Sequence, residues 1–392
     1  MPEKRPSHIL PLIILAQFAG TSLWFAGNAI LPDLIESYGF ADNDLGAITS
    51  SVQFGFIIGT LVFALFAVAD RFSPSKVFFA CSALGSMVNL AILFIPMNLT
   101  NMVLLRFVIG ILLAGIYPIG MKISADWFQK DLGKAIGLLV GALVIGTAFP
   151  HFLKGTGSSL DWSMVLTIVS IISLLGGFLI LILVPDGPHR NHGHQFQPKA
   201  LLTLFSEKNL RSAVFGYFGH MWELYTFWAF VPFLIQYYSV QNELGLNISM
   251  WSFVVIASGA IGCGYGGMIA LKKGSAKVAF FQLFGSLICI LLLSGIQFMP
   301  TWIFMVYMVV WGIFVVGDSP QFSTLAAKTA PPQLVGSALT IMNSIGFALT
   351  IPSIYLATFL TDLSNNPYPL IFLAVGPILG LLFTRKLLNV PL

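Results

Sequence analysis

Gly110-Ile-Leu-Leu-Ala-Gly-Ile-Tyr-Pro118 returns 202 residues later as Gly312-Ile-Phe-Val-Val-Gly-Asp-Ser-Pro320. The same offset carries Pro150 onto Pro352, and an offset of 200 lays Ala29-Ile-Leu-Pro-Asp-Leu-Ile35 on Ala229-Phe-Val-Pro-Phe-Leu-Ile235. Self-similarity at a fixed long spacing is the mark of a duplicated unit. In a chain of 392 residues this spacing makes two halves.

The medium around each half follows from composition. Hydrophobic residues make up 57% of the chain and charged residues 9%, against roughly 25% charged residues in soluble domains. This is an integral membrane protein. A helix needs about 20 apolar residues to cross the hydrocarbon, and twelve such stretches can be read: 9–32, 44–68, 76–96, 101–125, 132–153, 162–184, 209–238, 249–271, 276–298, 301–327, 333–359 and 367–385. The first is too long for a removable signal peptide and lacks a small-residue cleavage site, so it reads as the first span. The fold class is therefore all-α, with twelve transmembrane helices in two six-helix pseudo-symmetric bundles, 1–184 and 209–392, joined by a linker over 185–208. An even number of spans per half makes the repeat parallel, about an axis along the membrane normal, an arrangement that places a substrate site near the midplane between halves.

Loop charge sets the orientation. Lys4, Arg5, Arg71, Lys76, Lys130, Lys134, Arg190, Lys199, Lys208, Arg211, Lys272, Lys273, Lys277, Lys328, Arg385 and Lys386 fall on one side, whereas the other holds Lys154 among Asp33, Glu36, Asp42, Asp44, Asp161, Glu243 and Asp362. Both termini are expected in the cytoplasm. The short loops favour a bacterial inner membrane, and the basic residues read as contacts to anionic lipid, with no case for nucleic acid. The linker stretch Pro185-Asp-Gly-Pro-His-Arg-Asn-His-Gly-His-Gln-Phe-Gln-Pro198 reads as a solvated tether. Its His189, His192 and His194 lack a carboxylate or Cys partner at ligand spacing, so no metal is expected. Cys81, Cys263 and Cys289 read as small core residues.

Ionisable residues inside spans are the functional candidates, because a charge at the centre of a membrane helix costs about 3 kcal/mol. Phe215-Gly-Tyr-Phe-Gly-His-Met-Trp-Glu-Leu-Tyr-Thr-Phe-Trp228 puts His220 and Glu223 on one helical face, beside Gly216 and Gly219. Glu223 lies about 19 Å into span seven at 1.5 Å per residue, near the midplane. We read it as the proton-coupling acid and His220 as its partner or a substrate donor; mutual satisfaction that only pins packing is the plainer alternative. Asp318 in span ten precedes Ser319-Pro320, where the proline frees carbonyls and kinks the helix. Freed carbonyls and the carboxylate make a cation or proton site, the alternative being an Asp that stabilises the kink by bonding Ser319 or a neighbouring helix; with Ile116 at the equivalent position of the first half, the acid is an asymmetric addition, which favours the proton-coupling role. Arg106 in span four reads as an anchor for an anionic substrate, against snorkelling to the interface. Lys122 and Asp126 read as an interfacial i, i+4 pair, and His151 as interfacial. Gln17, Trp24 and Asn28 (span one), Tyr117 (span four), Tyr217, Trp222, Tyr225 and Trp228 (span seven), Trp311 and Gln321 (span ten) and Asn343 (span eleven) complete the candidate substrate cavity, a lone amide in hydrocarbon requiring a partner.

With two six-span halves, a basic central linker and Asp70-Arg-Phe-Ser-Pro-Ser-Lys76 between spans two and three, the whole chain resembles the major facilitator superfamily of secondary transporters. In that loop Asp70, Arg71 and Lys76 match the family's signature, which implies a gating latch, while Phe66, Ser73 and Pro74 depart from its Gly, Gly and Arg. Arg106, Gly110 and Ala114 resemble the fourth-helix motif of proton-coupled members; Gly141-Ala-Leu-Val-Ile-Gly-Thr-Ala-Phe-Pro150 does not meet the drug-antiporter signature. Ala114-Gly-Ile-Tyr-Pro-Ile-Gly-Met-Lys122 and Trp127-Phe128 are similar to the nitrate/nitrite and cyanate porter groups, yet spans two and eight lack the arginines a nitrate substrate implies. The resemblance implies a monomeric secondary transporter using no cofactor. The expected activity is proton symport of a small polar organic solute, anionic or zwitterionic; the alternatives are proton-antiport efflux of a hydrophobic or cationic compound and a non-transporting sensor or assembly partner. No Walker loop, nucleophile–base pair or metal cluster argues for an enzyme.

Overall fold

Backbone polar groups in hydrocarbon must be satisfied within the chain, and a sequence this apolar answers with helices. The computed structural model describes residues 6–128, 132–156, 160–190 and 196–390, and every regular element among them is helical. In chain order these are α1 (Ile9–Thr21), α2 (Ala26–Tyr38), α3 (Asp44–Leu65), α4 (Val68–Arg71), α5 (Pro74–Ala91), α6 (Leu99–Leu113), α7 (Tyr117–Trp127), α8 (Leu132–Gly155), α9 (Trp162–Leu183), α10 (Ala200–Ser206), α11 (Lys208–Gln241), α12 (Ile248–Lys273), α13 (Ser275–Leu292), α14 (Thr301–Gly317), α15 (Ser319–Thr329), α16 (Val335–Ser364) and α17 (Val375–Thr384). Ten helical segments among the described residues are long and apolar enough to cross a membrane. The 18-residue α5 and the 34-residue α11 stand outside that count.

Three of the stretches read as single spans are broken. Pro118 and Pro320 sit in the first turn of α7 and α15, where a missing N–H is tolerated, so the fourth stretch is interrupted between α6 and α7 and the tenth at Asp318. The first breaks over Ser22–Phe25 without a proline, a break that matters below.

Helix pairing follows the repeat. α3 packs on α6 as α12 does on α14; α1 on α8 and α9 as α11 does on α16 and α17; α5 on α9 as α13 does on α17. Two further pairs, α8 with α12 and α3 with α16, join the first set of helices to the second. The tightest approach needs glycine: a Cβ on Gly55 would stand 2.0 Å from the Phe107 carbonyl oxygen, and one on Gly110 would stand 2.2 Å from that of Val52. Polar side chains add to apolar packing. The Asn89 amide on α5 donates to the Leu166 carbonyl (3.1 Å) and the Ser170 hydroxyl (3.0 Å) of α9. Such interhelical bonds are worth about 1 kcal/mol in a membrane, so Asn89→Leu is expected to lower thermal stability by about that amount while leaving the detergent-purified protein monodisperse.

The linker is a tether only in part. Pro185, Asp186, Gly187, His189 and Arg190 dock on the first half: the Trp127 indole donates to the Pro185 carbonyl (3.0 Å), Ser73 to Asp186 (2.7 Å), the His189 N–H to the Asp126 carbonyl (3.0 Å) and Arg190 to the Phe72 carbonyl (2.8 Å). These bonds dock 185–190 on the first half, although Pro185, Asp186, Pro188 and His189 stay exposed to solvent as the sequence reading expects. His192 and His194 lie outside the described residues, as do Lys4, Arg5 and Lys130. At the other end Asp161 caps α9, and bonds from the Met164 N–H and the Ser163 hydroxyl hold its carboxyl below the ordinary range.

Candidate functional site

Two carboxylates lie buried among α11, α13, α14 and α15, and their partners differ. Glu223 Oε1 accepts from the Trp311 indole N–H at 2.7 Å and from the Ser286 hydroxyl. Both donors are neutral. Asp318, at the α14–α15 break, faces His220: Oδ1 lies 2.8 Å from Nδ1, with both side chains buried. That approach is close enough for an ion pair but is not aligned as a hydrogen bond, so its strength depends on imidazole charge. The expected partnership of His220 with Glu223 is thereby corrected. The i, i+3 spacing puts both on one side of α11, but the groups arriving from α13, α14 and α15 divide them.

The α1–α2 break explains Arg106. Four residues out of helical register leave carbonyls without intrahelical donors, and the Arg106 Nη2 on α6 donates to two of them, Leu23 O at 2.9 Å and Trp24 O. The side chain is fully buried. Snorkelling is excluded for this residue. Its Nε and Nη1 have no partner, and no carboxylate oxygen of the described residues lies within 4 Å. Further buried polar atoms without partners are the Trp24 indole nitrogen at this break, Asn28 Oδ1 on α2 and both amide atoms of Gln17 on α1 and of Gln53 on α3. The Asn28 amide donates to Thr49 at 2.7 Å. Gln17 lies against Gly120, where a Cβ would stand 2.1 Å from its Oε1.

Aromatic rings join the two sets of helices. Trp24 stacks near-parallel on Tyr225 (5.6 Å between centroids, 29°) and on Phe347 (5.7 Å, 26°), and packs on Phe56 (4.9 Å). Trp228 closes the group edge-on against Tyr225 and Phe25. Tyr217 lies over Gly346 and beside the His220 ring. Tyr117 opens α7, Gln321 is buried on α15, and Asn343 is half-buried on α16.

Several expectations change in this frame. Trp222 packs edge-on against Phe372 (5.8 Å) and beside Gly376 near α17, apart from the Trp24 rings. Trp311 serves as a donor to Glu223. His151, expected at the interface, is buried. Lys122 pairs with Asp126 at 3.0 Å as its spacing implied, and also reaches Asp70 at 3.5 Å; Arg71 and Lys76, the other latch candidates, are exposed. Gln53, Ser286, Phe56 and Phe347 were not singled out from the sequence. A lone amide in an apolar stretch is a signal that Gln53 does carry; a serine in a span carries none.

A model described as Major Facilitator Superfamily matches residues 12–354. An uncharacterized MFS-type transporter of Bacillus subtilis, YybF, is 26% identical over 216 residues, 51% of this chain and 50% of that protein; the match thus spans about half the length of that relative. The crystal structure of a variant of FucP, the E. coli fucose:proton symporter, aligns with a TM-score of 0.65 over 97% of this chain and 99% of that one at 17% identity. That is a likeness of fold.

Proposed function

Because the chain belongs to the Major Facilitator Superfamily and is a multi-pass membrane transporter, we propose that it couples protons to the uptake of a small polar organic solute, anionic or zwitterionic, across a bacterial inner membrane. In this reading α5 and α11 complete twelve spans, residues 1–184 and 209–392 form two six-helix bundles, and 185–208 links them. The monomer works by rocking one bundle against the other, with both termini cytoplasmic. Equal helix pairings in the two halves, and the two pairs that cross between them, support this.

The observation that carries the coupling is the pair of buried acids with unlike partners. Glu223 is held by neutral donors alone, and a lone carboxylate in an apolar interior is relieved by taking up a proton. Asp318 and His220, less than one helical turn from Glu223 along α11, supply a second station whose attraction rises when the imidazole is charged. Arg106, Gln17, Trp24 and Asn28 contact substrate, joined by Gln53; Tyr117, Tyr217, Gln321 and Asn343 line its path; the Asp70–Lys122–Asp126 cluster latches the basic end.

The test is intravesicular pH in proteoliposomes of the purified protein as carboxylates, amino acids and cationic dyes are added outside. Acidification on adding an acid is the expected result. Alkalinisation of acid-loaded vesicles by a cation would indicate antiport instead, and no pH change with any solute that the protein demonstrably transports would overturn the coupling.

A further inference from the structure

We propose that the transported solute is an aromatic monocarboxylate, its carboxylate held by Arg106 and its ring stacked on the Trp24, Tyr225 and Phe347 wall; this rests on the transport reading above. The sign of the ligand comes from the interior charges. Asp318 faces His220, and Glu223 has both the Trp311 and Ser286 donors on one oxygen. Arg106 meets only neutral carbonyls, and its Nε and Nη1 are buried without partners. At the ends of the first-half helices the acids are already engaged: Asp33 by Lys154 at 2.8 Å, Asp70 and Asp126 by Lys122. Glu223, held by neutral donors, is the acid assigned above to the coupling proton, which leaves Arg106 as the interior cation without a counter-ion. A buried unpaired guanidinium is costly, and a carboxylate brought by the ligand relieves it with charge-assisted bonds. An ammonium group on the ligand would have to compete with His220 for Asp318 or with the coupling proton for Glu223, whereas a carboxylate meets Arg106 without such competition, which favours a monoanion over a zwitterion or a cation.

The ring comes from what lies at the same residue. Trp24 gives its carbonyl to Arg106 and its indole to the wall, so the cation and the stacking surface are fixed together. Trp24 and Phe56 stand on one set of helices and Tyr225 and Phe347 on the other, with the Trp24 plane within 30° of both partners. Parting the helices strips these faces, and a planar ring entering between them replaces each lost contact with a stacked one. An aliphatic chain offers area but no such geometry. The indole N–H of Trp24 and the amides of Gln17 and Gln53, all without partners, leave polar capacity for ring substituents.

The experiment is binding of radiolabelled benzoate to the purified protein in detergent, with hexanoate and benzylamine as competitors. Two stacked faces should favour benzoate over hexanoate by about tenfold, and benzylamine should not compete. Trp24→Leu should abolish the preference for benzoate by lowering benzoate affinity about tenfold more than hexanoate affinity; Arg106→Gln should weaken both acids by about tenfold or more. Because Arg106 also holds the α1–α2 break, that variant is read only if monodisperse, and the tryptophan variant tests the ring independently. Absence of saturable benzoate binding, equal affinity for hexanoate, or displacement by benzylamine overturns the proposal. Benzoate-selective binding with no benzoate-driven pH change in vesicles would sink proton coupling and leave the substrate class standing; a pH change driven by an amine or by an aliphatic acid alone would do the reverse.

Discussion

Glu223→Gln is expected to abolish solute-driven proton movement while leaving a folded protein that still binds its substrate. The amide keeps the shape of the carboxyl and retains an oxygen to accept from Trp311 and Ser286, so neither donor is stranded. What disappears is the proton site. A gradient of one pH unit is worth about 1.4 kcal/mol and supports about tenfold accumulation by a one-for-one symporter, and that accumulation should fall to equilibration. Exchange of labelled for unlabelled solute should survive, because an amide resembles the protonated acid that crosses in the loaded state. Glu223→Ala differs in kind: it leaves a buried indole N–H and a hydroxyl without an acceptor, at about 1–3 kcal/mol each, and should lose stability as well as coupling. Unchanged accumulation and unchanged pH dependence in Glu223→Gln would remove this residue from the mechanism, and Asp318→Asn measured in parallel would say whether the His220–Asp318 station carries the proton instead.

Much of the architecture could be read from the residues because hydrocarbon leaves so few choices. Apolar length gave membrane helices, ten of which among the described residues are long and apolar enough to cross, and Pro320 marked the kink at the start of α15, whereas 101–125 was read as one span although α7 restarts at Tyr117-Pro118. The break over Ser22–Phe25 was not legible. Nothing in Ser-Leu-Trp-Phe argues against helix, and the group that holds the break open is an arginine more than 80 positions away on α6. The same limit applies to His220. Periodicity says which face of α11 it occupies, whereas its partner is decided by how α15 arrives. Ser286 makes the point through the repeat. Its counterpart 200 positions earlier, Ser86, returns its hydroxyl to the Ser82 carbonyl one turn back, the ordinary resting place of a serine in a helix. Ser286 donates to Glu223 because the second half has an acid where the first has Leu23. Asymmetry between copies is therefore the best guide to the site. At aligned positions, Asp318 replaces Ile116, Glu223 replaces Leu23, and the uninterrupted α11 replaces the broken α1–α2 pair.

Joining α3 to α16 covalently should stop transport outright. Gly46 lies two residues into α3 and Thr358 six residues from the end of α16, so both stand at the end of the molecule that carries Asp44, Lys154 and Asp161. A Cβ on Gly46 would stand 3.4 Å from that of Thr358, at the short edge of the roughly 3.5–4.5 Å that a disulfide spans. The three native cysteines are free, so no disulfide exists before the introduced pair is added. α8 and α12 also meet at their own ends: the Asn247 amide at the start of α12 donates to the Gly155 carbonyl at the end of α8 at 2.8 Å, and Phe152 packs on Phe253 at 5.0 Å. If one half rocks against the other, this end must open once per cycle, uncovering Trp24, Tyr225 and Phe347 from the same side. The Gly46→Cys, Thr358→Cys double variant should transport when reduced, lose all transport on oxidation and regain it with a thiol reductant, while either single variant is insensitive to oxidant. Substrate binding in sealed proteoliposomes supplies the sharper reading. With this end sealed, access remains from the basic end alone, so a membrane-impermeant aromatic acid should reach the site only in protein whose basic end faces the added ligand. Full transport by a quantitatively crosslinked protein would exclude motion between α3 and α16, and with it the rocking of two bundles.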